Sequence, residues 1–277
     1  MKKYRKIFLK ISKNHTRAVL VFVMINVKTE QEIKIMAEGG KILKEILQNL
    51  SLAVKPGIKT EELDKLAEEL VLSWQKKLPK AEIKPSFFGY RGYPAFICVS
   101  VNDEVVHGMP SVKVIKNSDI VSVDFAIIYR GFHVDSATTV AVGQIPKEAQ
   151  KLLDTTWESL NSGIEQAIVG NTIGHIGHAI QNYVEKNGFS VVRELVGHGI
   201  GSQLHEEPYV PNYGKKNEGE ILKEGMALAI EPMVNAGGPE VILAGDKTTY
   251  KTKDGSLSAH FEHTVAITKD GPLILTN

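Results

Sequence analysis

The chain has 277 residues, 43% of them hydrophobic and 23% charged, the proportions of a soluble globular protein. A formal net charge of +1 argues against bulk electrostatic binding to nucleic acid, so no DNA partner is expected. The single cysteine, Cys98, excludes an internal disulfide framework and a multi-cysteine zinc site, which leaves His, Asp and Glu as the metal donors.

The chain opens with a basic stretch to Arg17, has no acid before Glu30, and runs apolar from Ala18 to Val23. This resembles the first two regions of a signal peptide, but no small-residue cleavage site follows. The apolar run is too short to span a membrane. An organelle transit peptide and a translation start at Met24 are the other readings. Ordinary domain sequence begins just after Met24, which favours the later start. Residues 1–23 are therefore set apart as an N-terminal extension, targeting or untranslated, and residues 24–277 are taken as one domain.

Thr29 and Glu32 form a capping-box pattern, and Ile33, Met36, Ile42, Leu43, Ile46 and Leu47 supply the apolar face of a first helix. Pro56-Gly57 breaks it. A second helix opens at Thr60, with acids in its first turn, and runs to about Lys77. Strand patterns follow over Phe96–Val101, Ile120–Tyr129 and Ala137–Val142. Pro146 starts a third helix that reaches about Val169. Asn171 caps a fourth, to about Lys186. Further strands are expected near Val191–Val192, Ala227–Ile230, Glu240–Leu243 and Phe261–Thr268. Helix, glycine-containing break, helix, then strands thus occurs from residue 29 and again from residue 146. The pattern predicts one α+β domain of two similar halves, mostly antiparallel, with helices covering one face of the sheet.

Acids inside apolar strand text are informative, because an unpaired buried carboxylate is costly. Asp124 sits among Ile, Val and Phe. Asp135 follows a turn at Arg130-Gly131, so a hairpin would bring the two together. The alternative puts Asp135 in the turn and pairs Asp124 with an arginine, and the two readings are evenly matched. Glu231 ends a strand before Pro232, and Glu262 lies in another, with His260 on its face and His263 on the opposite one.

The stretch VGHGIGSQLHEEP places His198 and His205 seven residues apart. Gly197, Gly199 and Gly201 disfavour a helix, so an irregular segment passing close to other backbone is expected. Taken alone, the pair reads as two surface loop histidines, and His107 as a turn histidine before Gly-Met-Pro. Four strand-embedded carboxylates with a glycine-flanked histidine instead suit hard or borderline divalent ions.

In this order, SVNDEVVHGMP, the Asp124/Asp135 pair eleven residues apart, GHGIGSQLHEEP, AIEPMV and SLSAHFEHT resemble the type I methionine aminopeptidases of the pita-bread (creatinase/aminopeptidase) metallopeptidase fold. The resemblance runs from about residue 24 to the end. It implies a pseudo-symmetric α+β fold and removal of the initiator methionine from nascent chains whose second residue is small. It also implies two divalent ions, drawn from Fe, Mn, Co or Zn, held by Asp124, Asp135, His198, Glu231 and Glu262. Asp135 and Glu262 would bridge the ions, Asp124 would bind one, and His198 and Glu231 the other.

On the same resemblance His107 meets the substrate near its amine end, His205 steadies the scissile carbonyl, and Glu231 moves the water's proton. Phe87, Tyr90, Tyr93 and Cys98 match positions that shape the methionine pocket. Three residues depart from the family pattern. Phe87 stands where a smaller residue is common, Leu204 where phenylalanine is frequent, and Thr248 where tryptophan is frequent. A cytoplasmic monomer with transient ribosome association and no membrane partner is implied.

Prolidases and Xaa-Pro aminopeptidases share the fold but usually carry an extra N-terminal domain, which residues 1–23 are too few to form. Type II methionine aminopeptidases carry a helical insertion, whereas about two dozen residues separate His205 from Glu231. A non-enzymatic relative would have lost ligands that this chain keeps.

Overall fold

The structure, a computed structural model, describes residues 5–7, 21–23 and 25–277. Strands β1 (Arg5–Ile7) and β2 (Val21–Val23) pair antiparallel. The rest of the N-terminal extension lies outside the described residues, and with it the readings of that segment as targeting or untranslated.

The first half contains α1 (Glu30–Ala53), α2 (Thr60–Lys77), β3 (Lys84–Pro85), β4 (Cys98–Val101), β5 (Glu104–Val106), β6 (Ile120–Tyr129) and β7 (Phe132–Ala141). The second contains α3 (Lys147–Ile164), α4 (Ile173–Lys186), β8 (Ser190–Val191), β9 (Gly197–Gly199), β10 (Glu206–Val210) and β11 (Ala227–Ile230). It continues through β12 (Met233–Asn235), β13 (Val241–Leu243), β14 (Tyr250–Thr252), β15 (Ser258–His260), β16 (Glu262–Thr268) and β17 (Gly271–Ile274). Helix pair followed by strands recurs, as the pattern predicts.

The capping box at α1 forms. The Thr29 N–H donates to the Glu32 carboxylate at 2.7 Å, and the Glu32 N–H donates to the Thr29 hydroxyl at 3.3 Å. Met36, Ile42, Leu43, Ile46 and Leu47 are buried along one stripe, while Ile33 only packs at its edge.

Several boundaries differ from expectation. Helix α3 stops at Ile164, because the Gln166 and Ala167 amides bond three residues back and Gly170 takes φ +93°. Thr172, not Asn171, caps α4. Its N–H donates to His175 Nδ1 at 3.1 Å, while the Asn171 amide turns away to the Gln166 carbonyl. The strand expected from Phe96 starts at Cys98, because the Phe96 and Ile97 amides donate to the Asp64 carboxylate at 2.7 and 3.1 Å.

The main sheet has nine strands in the order β10-β9-β11-β16-β7-β6-β3, with β17 beside β16 and β4 beside β6. Every named strand pair among the described residues is antiparallel. One apolar core joins α1 and α2 to β6 and β7, and a second joins α3 and α4 to β11 and β16. No helix of the described residues is long and apolar enough to cross a membrane.

Candidate metal centre and substrate cavity

The hairpin β6–β7 is in register from Ile120↔Ala141 to Tyr129↔Phe132. Side chains alternate between its faces. Val121, Val123, Phe125, Ile127 and Val134 point at the helices and are fully buried. The opposite face therefore receives Asp124 and, across from Ala126, Asp135. Asp135 lies inside β7, which starts five residues before the expected strand, and this decides against the turn reading. Cys98, Asp124, Ala137 and Glu262 form one row across four strands. Next to it, Thr264 holds Asp135. It accepts from the Asp135 N–H at 2.9 Å and donates to the Asp135 carbonyl at 2.8 Å.

His198 and Glu231 reach the same face from β9 and the end of β11. Where the sequence predicts an irregular segment, His198 instead lies in a short strand paired with β10 and β11. Gly199 is required there, since a Cβ would lie 2.3 Å from the Glu207 carbonyl oxygen. His198 Nδ1 lies 2.9 Å from the Gly199 carbonyl oxygen, so this nitrogen carries the proton and Nε2 presents its lone pair to the site. That Nε2 is 3.5 Å from Glu231 Oε1.

Single ligand atoms of Asp135, His198 and Glu262 lie within 4.8 Å of one another, as do those of Glu231, His260 and Glu262. Asp124 and Asp135 lie on the same face of the hairpin, across from Ala137 and Ala126. Asp124 Oδ1, Asp135 Oδ1, Glu262 Oε1 and His260 Nε2 are buried without a hydrogen-bond partner. Buried polar atoms are rarely left so.

Burial, reinforced by neighbouring carboxylates, raises Asp124 and Glu262 well above the usual range, and Glu231 likewise through burial and Asp135. Burial also raises Asp135, to about 7. Burial lowers His198 to about 4 and leaves it neutral. Crowded acceptors beside neutral imidazole nitrogens fit divalent cations, whose charge would offset the repulsion.

Above these groups lies a cavity of about 510 Å³. Every site residue expected from sequence lines it: Phe87, Tyr90, Tyr93, Cys98, His107, Leu204, His205 and Thr248, with the four acids and the histidine of its floor. Cys98 and Leu204 are buried, and Phe87, Tyr90 and Thr248 are partly open. The Tyr93 hydroxyl donates to the Ile97 and Gly108 carbonyls at 3.1 and 3.3 Å. His107 has φ +56° at the end of β5, and its carbonyl is held by the Thr249 hydroxyl. Its ring faces the open cavity, yet the protein crowded around it still disfavours the charged form.

The loop after β9 turns back, so the His205 ring centroid comes within 4.2 Å of that of His198. His205 Nδ1 is 2.8 Å from the Tyr90 hydroxyl. Burial and then His198 lower His205 to about 3. The loop is tied to the N-terminal segment. Lys28 Nζ donates to Glu206 at 2.7 Å, with each side chain only 4% exposed. The other Glu206 oxygen accepts from Ser202 Oγ and the Gln203 N–H, both at 3.0 Å. Gly201 leaves room for the lysine stem, since a Cβ there would lie 2.3 Å from Lys28 Cε.

Sequence reasoning missed several lining residues, among them Arg91, Glu194, Met233, Lys247 and Tyr250. They sit in loops or very short strands without a periodic signal. It noted that His260 shares a face with Glu262 but gave it no part in the site.

Residues 34–269 match the profile of metallopeptidase family M24. The chain is similar to the methionine aminopeptidase of Clostridium perfringens, 51% identical over 91% of this chain and 99% of that one. Among solved structures it is similar to methionine aminopeptidase from Rickettsia prowazekii, at TM-score 0.88 and 40% identity over 92% of this chain and 100% of that one. It is similar as well to methionine aminopeptidase from Thermotoga maritima, at TM-score 0.87 and 44% identity over the same shares.

Proposed function

The chain belongs to metallopeptidase family M24, and on that premise we propose that it is a type I methionine aminopeptidase, with residues 24–277 as its catalytic unit. The observation that carries this reading is the cavity floor. Three carboxylate oxygens and one imidazole nitrogen lie buried there without partners, in a chain about half identical to a methionine aminopeptidase along nearly its whole length.

Asp124, Asp135, His198, Glu231 and Glu262 would hold two divalent ions. Fe, Mn, Co and Zn all suit this donor set. When bound, the ions supply the Lewis acidity that makes a water nucleophilic near neutral pH. The Glu231 carboxylate accepts the attacking water's proton and passes it to the leaving amine. With the Tyr90 hydroxyl donating to His205 Nδ1, the His205 Nε2 carries the proton and donates to the scissile carbonyl oxygen. His107 flanks the substrate's amine end. Phe87, Tyr90, Tyr93, Cys98, Leu204 and Thr248 enclose the methionine side chain, and a small second residue follows it. On the same reading the enzyme is a cytoplasmic monomer acting on nascent N-termini, with transient ribosome association.

The test is release of the N-terminal residue from peptides beginning Met-Ala, Met-Gly, Leu-Ala and Ala-Pro, after loading with Fe(II), Mn(II) or Co(II). Methionine alone should be released, only with metal, and not by Asp124→Asn. Release from Ala-Pro, or no release with any ion, would overturn the reading.

A further inference from the structure

We propose that His260 is an additional metal ligand, giving the ion held by His198 and Glu231 a second imidazole. This rests on the metallopeptidase reading above. His260 is only 1% exposed and its Nε2 has no hydrogen-bond partner. It lies 3.8 Å from Glu231 Oε2 and 3.9 Å from Glu262 Oε2. Both separations are too long for hydrogen bonds. They suit donors sharing one ion, since bonds of about 2.1 Å allow separations up to about 4.2 Å.

The backbone fixes this placement. The His260 N–H donates to Thr139 Oγ1 at 2.9 Å, and that hydroxyl donates to the His260 carbonyl at 2.8 Å. Strand β15 ends at His260 and β16 begins at Glu262, which leaves the ring and the carboxylate side by side. The Glu231 carboxylate is thereby flanked by two imidazoles, with Oε1 toward His198 and Oε2 toward His260. A donor set with two nitrogens is softer than one with a single imidazole, and shifts preference from Mn(II) toward Co(II) and Zn(II).

The experiment is long-range proton–nitrogen NMR of the full chain, ¹⁵N-labelled at histidine, metal-free and saturated with Zn(II). Nε2 of both His198 and His260 should move to the metal-bound position, assigned with His260→Gln and His198→Ala. Calorimetry should show His260→Gln binding Zn(II) and Co(II) at least about tenfold more weakly, with its circular dichroism spectrum retained. If His198 moves while His260 Nε2 keeps a proton or its free position, His260 is not a ligand and the inference fails. The wild-type spectra decide this even if the variants do not fold. If no histidine responds, the peptidase reading itself falls, and this inference with it.

Discussion

The two faces of the hairpin β6–β7 differ in nearly every respect while sharing one backbone. Toward the helices, Val121, Val123, Phe125, Ile127 and Val134 are closed off from water and need no partners. Toward the cavity, Asp124 and Asp135 are also buried, and each leaves a carboxylate oxygen unpartnered. The two-residue alternation of a strand separates an apolar face, which holds the fold together, from a polar face that strains it. Like-charged groups at close range are tolerated because the opposite face is well packed. Stability and chemistry should therefore be separable by mutating adjacent residues.

The widest separation is expected at Asp124 and Phe125. Asp124→Asn should lower peptidase activity at least roughly a thousandfold. The metal-free protein should melt no lower than wild type, since one repelling carboxylate is gone. Activity within tenfold of wild type would contradict the division. Phe125→Ala should instead cost about 3–5 kcal/mol in denaturant unfolding and leave KM of the folded fraction unchanged.

The polar face should also leave a mark in the pH dependence of the metal-free protein. Burial raises Asp135 from 3.8 to about 7. A carboxyl with a raised folded pKa binds its proton more tightly when folded. Its contribution is greatest below the unfolded value and is lost as pH rises through the folded one. The chelated protein should thus melt lower at about pH 8 than at about pH 5. Added Mn(II) or Asp135→Asn should flatten that slope, and a slope of opposite sign would rule out the assignment.

Smaller effects are expected at the loop carrying His205. Lys28→Met strands the Glu206 carboxylate and should cost about 3 kcal/mol, most of it recovered in the double variant with Glu206→Gln. Unchanged urea unfolding of the single variant would dismiss the pair. Tyr90→Phe removes the partner of His205 Nδ1 and should lower kcat/KM about tenfold with little loss of stability. An equal fall in melting temperature and activity would make that contact merely structural.

The long elements were legible because their periodicity is strong. The Thr29–Glu32 box, the stripe of α1 and the ten residues of β6 appear in the structure as the sequence predicts. Asp124 and Glu262 stood out because each interrupts apolar strand text. The rest depends on distant partners. Strand β9 has glycine at two of its three positions and acquires its register only from β10 and β11. The start of β4 is set by Asp64, more than thirty residues earlier. His260 gains its place through the Thr139 hydroxyl and the break at Phe261, and neither leaves a local signal.

The tie between Lys28 and Glu206 also bears on when the molecule becomes competent. The two residues are 178 apart in sequence. At roughly 5–20 residues per second, Lys28 is synthesised about 10–35 s before its partner exists. Through that interval the Lys28 ammonium has no partner, because the loop that will bring His205 to the cavity is not yet made. Glu231 and Glu262 follow later still, so the cavity floor is complete only once Glu262 has been made.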